Sequence, residues 1–297
     1  MSTNTMNKSN HRQFIFGYGS LICYRSRAIT APSLASKPAI PVIVEHLTRT
    51  WSARVPNKNL SFLSSAEIES NETDIHGLTA MGIERTKDTK CSGVLIEVDD
   101  NELGYFDTRE EGYDRIEIDL IHIWELDGNN DEKNKEEHIV LQRASIKRLC
   151  GHESNSSGSN DIENIKVWVY VPKVALPANK NYPIAQSYVD IIMRGCLDYS
   201  HNFVEHFIST THGWWDQPKN NVKFNITKSE YNETSDKFMW VEDRNDPLYI
   251  RADIDWSKEK AEILDDYLQA HLPYEFTKRK NLDRILSAAD KYEDEFD

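Results

Sequence analysis

A chain of 297 residues that is 39% hydrophobic and 10% aromatic can bury a sizeable core, and ordinary domain sizes make it one large domain or two smaller ones. Its 35 Lys+Arg against 49 Asp+Glu leave a formal charge of −14, which repels phosphate backbones and anionic lipid surfaces and argues against a nucleic-acid or membrane partner. Cys23, Cys91, Cys150 and Cys196 stand far apart, with no Cys-x-x-Cys pair and no His at metal-ligand spacing, so they read as buried free thiols rather than a metal site or a disulfide framework.

Residues 1–11 are rich in Ser, Thr and Asn and lack an apolar signal-like stretch, which predicts a disordered tail on a cytoplasmic protein; no run approaches the ~18 apolar residues of a membrane span. Phe14 to Ile22 then reads Phe-Ile-Phe-Gly-Tyr-Gly-Ser-Leu-Ile, a buried strand that breaks on Gly17 and Gly19 and resumes. The glycines let another group approach the main chain, and Ser20 sets a hydroxyl beside backbone N–H donors, so the loop suits an anion such as a carboxylate. A plain strand turn or bulge accounts for the same residues equally well. Ala31 to Ile40, with Pro32 and Pro38, reads as a surface connection, and Pro41 to Val55 as a strand pair or one long bent strand, alternating through Val42, Val44, Trp51, Ala53 and Val55. Leu60, Phe62 and Leu63 mark a short apolar piece, and the acidic stretch 66–75 a solvated loop.

Strands are expected at Gly77 to Glu84, Cys91 to Val98 and Ile116 to Leu126, with Asp99 to Tyr105 a capped helical turn opening on Asp-Asp-Asn. Between them the segment Phe106 to Arg115 is densely charged and closes on Gly112. Asp127 to Glu137 predicts a charged hairpin-like excursion, Gly151 to Asn164 a disordered stretch, and Lys166 to Pro172 the last clear strand. From Pro183 the period changes. Ile184, Tyr188, Ile191, Ile192, Gly195, Tyr199, Phe203, Phe207 and Ile208 recur at three and four, the packed face of an amphipathic helix region ending near Gly213. Beyond Trp214-Trp215 a polar loop runs to Asp236; the rest offers strand-like Phe238 to Val241 and Tyr249-Ile250, a helix from Lys258 to His271, and an acidic frayed end from Lys291. The expected partition is therefore a tail (1–11), a β-rich domain with a long helix region (12–213) and a C-terminal extension packing on it (214–297).

Chemistry concentrates in Arg109-Glu110-Glu111-Gly112. A carboxylate beside an apolar sheet end has its pKa raised by desolvation toward the range of a general base unless Arg109 or Arg115 pairs with it; a solvated turn with surface ion pairs is the plain alternative. Gly17-x-Gly19 lacks the third glycine and the βαβ unit of a dinucleotide loop. Cys23 near the loop has no patterned His or Asn partner for nucleophilic work. His201, His206 and His212 lack metal-ligand spacing and read as structural or surface groups, and Arg54 as solvent-facing.

Together the two segments resemble the γ-glutamylcyclotransferase-like superfamily, with its AIG2-like and ChaC-like branches. Gly17-Tyr18-Gly19-Ser20-Leu21 is similar to the family's YGS loop after a first strand, and Phe106-Asp107-Thr108-Arg109-Glu110-Glu111-Gly112-Tyr113 to its D-x-R-E segment followed by Gly and Tyr. Their order and separation also match, over about Arg12 to Pro172. The resemblance implies an α+β fold, a small twisted mixed β-barrel with flanking helices, here with a helical C-terminal extension. It implies intramolecular cyclisation of a γ-glutamyl amide or peptide to 5-oxoproline with release of the amine. Glu110 would be the general acid/base, and Gly17, Tyr18, Gly19, Ser20, Leu21 and Tyr113 would hold the γ-glutamyl substrate, with no cofactor and no metal. Glu111 departs from the family, which often has a small residue there. Arg109 and Arg115 would brace the loop or meet a second substrate carboxylate. The alternative is a non-catalytic member of the same fold that binds a small molecule or a protein.

Overall fold

The computed structural model describes residues 12–56, 75–126, 141–143, 165–214 and 239–282. Strand β1 (Arg12–Gly17) buries Phe14, Ile15 and Phe16 in succession, as a strand covered on both faces must. It runs antiparallel to β3 (Gly77–Val98), with Gly17 opposite Val94, and parallel to β7 (Ile165–Pro172), with Arg12 opposite Ile165. Strand β2 (Ile40–Pro56) follows β3 along its length, and register shifts between Glu45 and Leu47 and between Trp51 and Ala53 bend the pair. The remaining members are β4 (Tyr113–Ile118) beside β7, β5 (Ile123–Leu126) beside β2, β6 (Leu141–Arg143) beside β5, and the short β9 (Thr211–His212) parallel to β2. The eight-stranded mixed sheet has the path β4-β7-β1-β3-β2-β5-β6. With its helices it is the α+β fold that the resemblance implies.

Helix α1 (Tyr24–Thr30) follows the loop after β1 at once, where the sequence reading had placed no helix; its first turn has no acidic residue and its N-cap, Cys23, makes no side-chain cap, so the usual start signal is missing. Helix α2 (Asp100–Arg109) opens with a capping box, Asp99 and Glu102 each serving the other's backbone N–H, and runs one turn longer than expected. Expected as two strands, β3 is continuous. Instead of one strand over Ile116 to Leu126 there are β4 and β5, parted by a 3-10 turn.

The helix region divides into α3 (Gln186–Leu197) and α4 (His201–Thr210), because Ser200 caps a new N-terminus on Phe203 N–H. Helix α3 is buried on every side up to Cys196, lying between the sheet and the C-terminal elements. Those are α5 (Ile254–His271), which starts at an Asp253 cap ahead of the expected Lys258, and α6 (Pro273–Phe276). A second sheet aligns β10 (Trp240–Glu242) in parallel between β8 (Ile184–Ala185) and β11 (Lys280–Asn281). Tyr249-Ile250 is a turn rather than a strand. Buried ion pairs fasten these parts: Arg244 meets Asp190 on α3 at 2.7 Å and Asp265 on α5 at 2.8 Å, and Arg279 meets Asp265 at 2.7 Å. Removing one member would strand a buried charge.

The expected tail, the apolar piece at Leu60 to Leu63, the excursion at Asp127 to Glu137, the stretch Gly151 to Asn164 with Cys150 before it, the loop from Trp215 to Asp236 and the acidic end lie outside the described residues. Among the described residues no helix is long and apolar enough to cross a membrane.

Candidate active site

The glycine loop is a short 3-10 turn, Ser20–Ile22, closed by Ile22 N–H donating to Gly19 O at 2.9 Å. It is pinned from below by close packing. A Cβ at Gly195 of α3 would stand 2.4 Å from Cys23 N, and one at Gly17 would stand 2.8 Å from Leu21 Cβ. The carbonyl of Tyr18 accepts from Arg49 Nη1 at 3.2 Å. Arg49 is wholly buried; it donates also to Ser92 O, Phe207 O and Thr211 Oγ1 and lies 4.2 Å from the centre of the Phe207 ring, so no partner in this set is a carboxylate. Burial lowers its pKa, yet an arginine there stays charged. A fixed cation therefore sits one peptide behind the loop.

Glu110 enters from the other side, as the residue that ends α2. Its neighbour Arg109 turns its Nε to Glu110 Oε1 at 2.9 Å and its Nη2 to Ser20 Oγ at 3.0 Å. The same guanidinium reaches α1 through Ser26 O at 3.0 Å and Thr30 Oγ1 at 2.8 Å. One arginine thus ties the glutamate to the loop across 89 residues of sequence, the bracing role expected of it. The Glu110 side chain is only 16% exposed. Burial raises its pKa from the ordinary carboxylate value, with the charges of Arg109 and Arg251 acting against that rise.

Glu110, Tyr18, Gly19, Ser20, Leu21 and Tyr113 line one cleft. Tyr18 OH donates to Tyr170 O at 2.6 Å and Tyr113 OH to Met81 O at 3.2 Å, and burial raises both phenols well above their ordinary values, so both remain neutral donors. Gly17 does not line the cleft: its missing Cβ makes room for Leu21 and Ile96 instead. Glu111 points elsewhere, exposed at the rim of an adjoining cavity. Arg115 pairs with Asp107 at 2.7 Å and lies over Trp168, outside the cleft lining. Arg54 is half-buried at the adjoining cavity, donating to Pro177 O at 3.0 Å, rather than simply facing solvent.

The sequence reading did not single out Phe16, Met81, Tyr170 or Tyr188 as cleft residues. Tyr188 belongs to the packed helix face by its spacing, and the one signal it carries beyond packing is its hydroxyl, since a buried tyrosine needs a polar partner; here Met81 N–H donates to it at 3.4 Å. Cys23 is buried and its thiol is pushed up by burial, the reverse of an activated nucleophile. His206 is pushed down to about 4 by burial and, with His201 and His212, is not in the cleft lining. Glu45, His46 and His122 bring ligand-type atoms within 4.8 Å of one another, but His46 Nδ1 already accepts from Asp88 N–H at 3.1 Å and Lys90 stands 3.7 Å from Glu45.

No protein-family model and no curated protein matches the sequence. The solved structures it is similar to include γ-glutamyl cyclotransferases. One, a γ-glutamyl cyclotransferase, is 12% identical with a TM-score of 0.35, over 73% of this chain and 95% of that one. Another, a yeast γ-glutamyl cyclotransferase specific to glutathione, is 14% identical with a TM-score of 0.29, over 55% of this chain and 69% of that one. An uncharacterized protein from Homo sapiens is 13% identical with a TM-score of 0.39, over 74% of this chain and 96% of that one. At such identities and scores alignment assigns no residue a role.

Proposed function

We propose that the cleft binds a γ-glutamyl compound and closes its glutamyl part to 5-oxoproline, releasing the attached amine. The observation that supports this best is the link through Arg109, which sets a buried carboxylate, Glu110, beside the Gly19–Leu21 turn. In this reading the main-chain amides of the turn and Ser20 hold the substrate α-carboxylate, helped by the Arg49 charge behind Tyr18. The tyrosine walls keep the glutamyl chain folded so that its own α-nitrogen lies against its side-chain carbonyl, the positioning that lowers an intramolecular barrier.

Glu110 moves the protons. The α-ammonium gives up two in becoming the lactam N–H, and the departing nitrogen takes up two in leaving as an ammonium. The bond from the α-nitrogen to the side-chain carbon forms as the bond to the departing nitrogen breaks, so atoms and charge balance with Glu110 returned to its starting state. A general base of this kind works best near the operating pH, which is the direction in which burial moves Glu110.

The test is 5-oxoproline release from a panel of γ-glutamyl dipeptides, γ-glutamyl amines and glutathione. Glu110→Gln is expected to lower kcat by about 10²–10⁴-fold with the melting temperature within a few degrees of wild type. Unchanged product formation in that variant would remove Glu110 from the chemistry. Substrate binding with no product from the unaltered protein would favour the non-catalytic alternative.

A further inference from the structure

Next to the cleft, and sharing Tyr113 and Arg109 with its surroundings, lies a larger cavity. One wall comes from β2 and β3 and the facing wall from the C-terminal segment Leu248–Arg251. The lining is mainly apolar. Three of its residues, Val55 at 41%, Val174 at 65% and Ile250 at 73%, are among the few large hydrophobic side chains left exposed, the usual mark of a surface awaiting an apolar partner. Its charged members are Arg54, Arg109, Arg251 and Glu111, a net positive set. Arg54 is engaged with Pro177 O and the Tyr182 ring, and Arg109 with the loop and Glu110. Arg251 differs: its Nε is buried and has no hydrogen-bond partner among the described residues.

Arg251 is also held in place from both sides. On its N-terminal side buried Asp243 accepts from Ser187 N–H at 2.8 Å, Ser187 Oγ at 2.6 Å and Leu248 N–H at 2.8 Å, and Tyr249 N–H donates to that same Ser187 hydroxyl at 3.3 Å. Two residues after Arg251, Asp253 is paired with Arg194 at 2.6 Å and Arg25 at 2.9 Å. A segment anchored this firmly presents its arginine at low entropic cost.

Taking the cyclisation reading as its basis, we propose that this cavity receives the departing half of the substrate and that Arg251 selects a departing group carrying a carboxylate on an apolar body, such as an amino acid with a large apolar side chain. The γ-glutamyl half occupies the cleft, the scissile amide lies at the Tyr113 boundary beside Glu110, and the carboxylate meets the Arg251 guanidinium. The preference follows because the Arg251 Nε has no hydrogen-bond partner among the described residues, so a carboxylate of the ligand can take that donor in a charge-assisted bond.

The full-length protein would be assayed with γ-glutamyl-phenylalanine and with its α-carboxamide, in wild type, Arg251→Gln and Arg251→Lys, all verified as folded by circular dichroism. The expected result is a wild-type preference for the acid of about tenfold or more in kcat/KM, lost in Arg251→Gln through a higher KM for the acid alone and partly kept in Arg251→Lys. Because the Arg251 charge also acts on Glu110, each variant is assayed across pH and compared through its acid-to-amide ratio; equal turnover of acid and amide by wild type, or a ratio unchanged in Arg251→Gln, would overturn the assignment. If neither compound yields 5-oxoproline, the cyclisation reading fails for this pair, and calorimetric binding of the same two compounds decides the cavity. Tighter binding of the acid that depends on Arg251 supports it; equal binding overturns it.

Discussion

Replacing Gly195 by alanine would test how the glycine loop is held. The added carbon would stand 2.4 Å from Cys23 N, 2.6 Å from Cys23 Cα and 2.7 Å from Ile22 C, all backbone atoms that cannot swing away. A carbon needs roughly 3.5 Å, so helix α3 and the loop must part by about an ångström. Overpacking of this kind costs about 1–3 kcal/mol, against a helix-propensity gain of about 1 kcal/mol for Gly to Ala. With three backbone atoms inside 3 Å the cost falls at the upper end of that range, so the net loss is about 2 kcal/mol, or roughly 4–8 °C in Tm. Gly104, exposed in α2 with nothing within 4 Å of its would-be Cβ, is the internal control: the same substitution there should raise stability by about 1 kcal/mol. Thermal melts of the two variants side by side read the difference. Since the parting also carries Ser20 away from Arg109, 5-oxoproline release should fall further in Gly195→Ala than stability alone accounts for. A Gly195→Ala protein that melts at or above wild type would refute the claim that α3 packs directly on the loop backbone.

Two further outcomes follow from the cleft and its supports. Arg109→Lys keeps the charge but cannot span Ser20, Ser26, Thr30 and Glu110 together, so kcat/KM should drop about tenfold or more; Arg109→Met, which also removes the charge that opposes the rise in Glu110's pKa, should move the ascending limb of the pH-rate profile to higher pH, whereas an unmoved limb would separate Arg109 from Glu110. Asp243→Asn should destabilise the chain by about 1–3 kcal/mol, because one of three donors loses its acceptor. Burial pushes the Asp243 carboxyl up to about 6, above its unfolded value, so its contribution is fully present at low pH and fades as pH rises through 6. The deficit of Asp243→Asn measured by urea titration should therefore shrink between pH 4 and pH 7, and a deficit that grows would reverse the sign argued for that carboxyl.

The strands that carry the site were legible because their apolar residues come in dense runs: Phe14 to Phe16 and Val94 to Ile96 can only be buried. The helix caps at Asp99 and Ser200 are local signals too, and the first of them was read. Less was legible where the deciding neighbour is distant. Tyr24 to Thr30 is polar and uncapped, and the contacts that hold its helix come from far along the chain, where Arg109 bonds Ser26 and Thr30. Likewise Lys87 to Lys90 looks like a break between strands; β3 carries through it, but pairing with β2 passes from Arg85 opposite Leu47 to Lys90 opposite Glu45, so residues 86–89 bulge out opposite His46, a detail only the partner strand decides. The candidate site was half visible. Gly-Tyr-Gly-Ser and Arg-Glu stand out as short motifs, but the choice between Glu110 and Glu111 depends on where α2 ends, and Tyr188 and Arg251 belong to segments whose periodicity speaks only of packing.

The buried charge of Arg49 has a consequence for the conditions under which the loop would hold a ligand. Ion pairs at the surface, such as Arg12 with Glu97 at 2.7 Å, weaken as salt is added, since mobile ions come between and around them. Arg49 has no solvent contact for those ions to use, and its guanidinium cannot be titrated away in the physiological range. The attraction it would lend to an anion on the Tyr18–Leu21 backbone is thus set when the chain closes over it and is screened far less by added salt than a surface pair is.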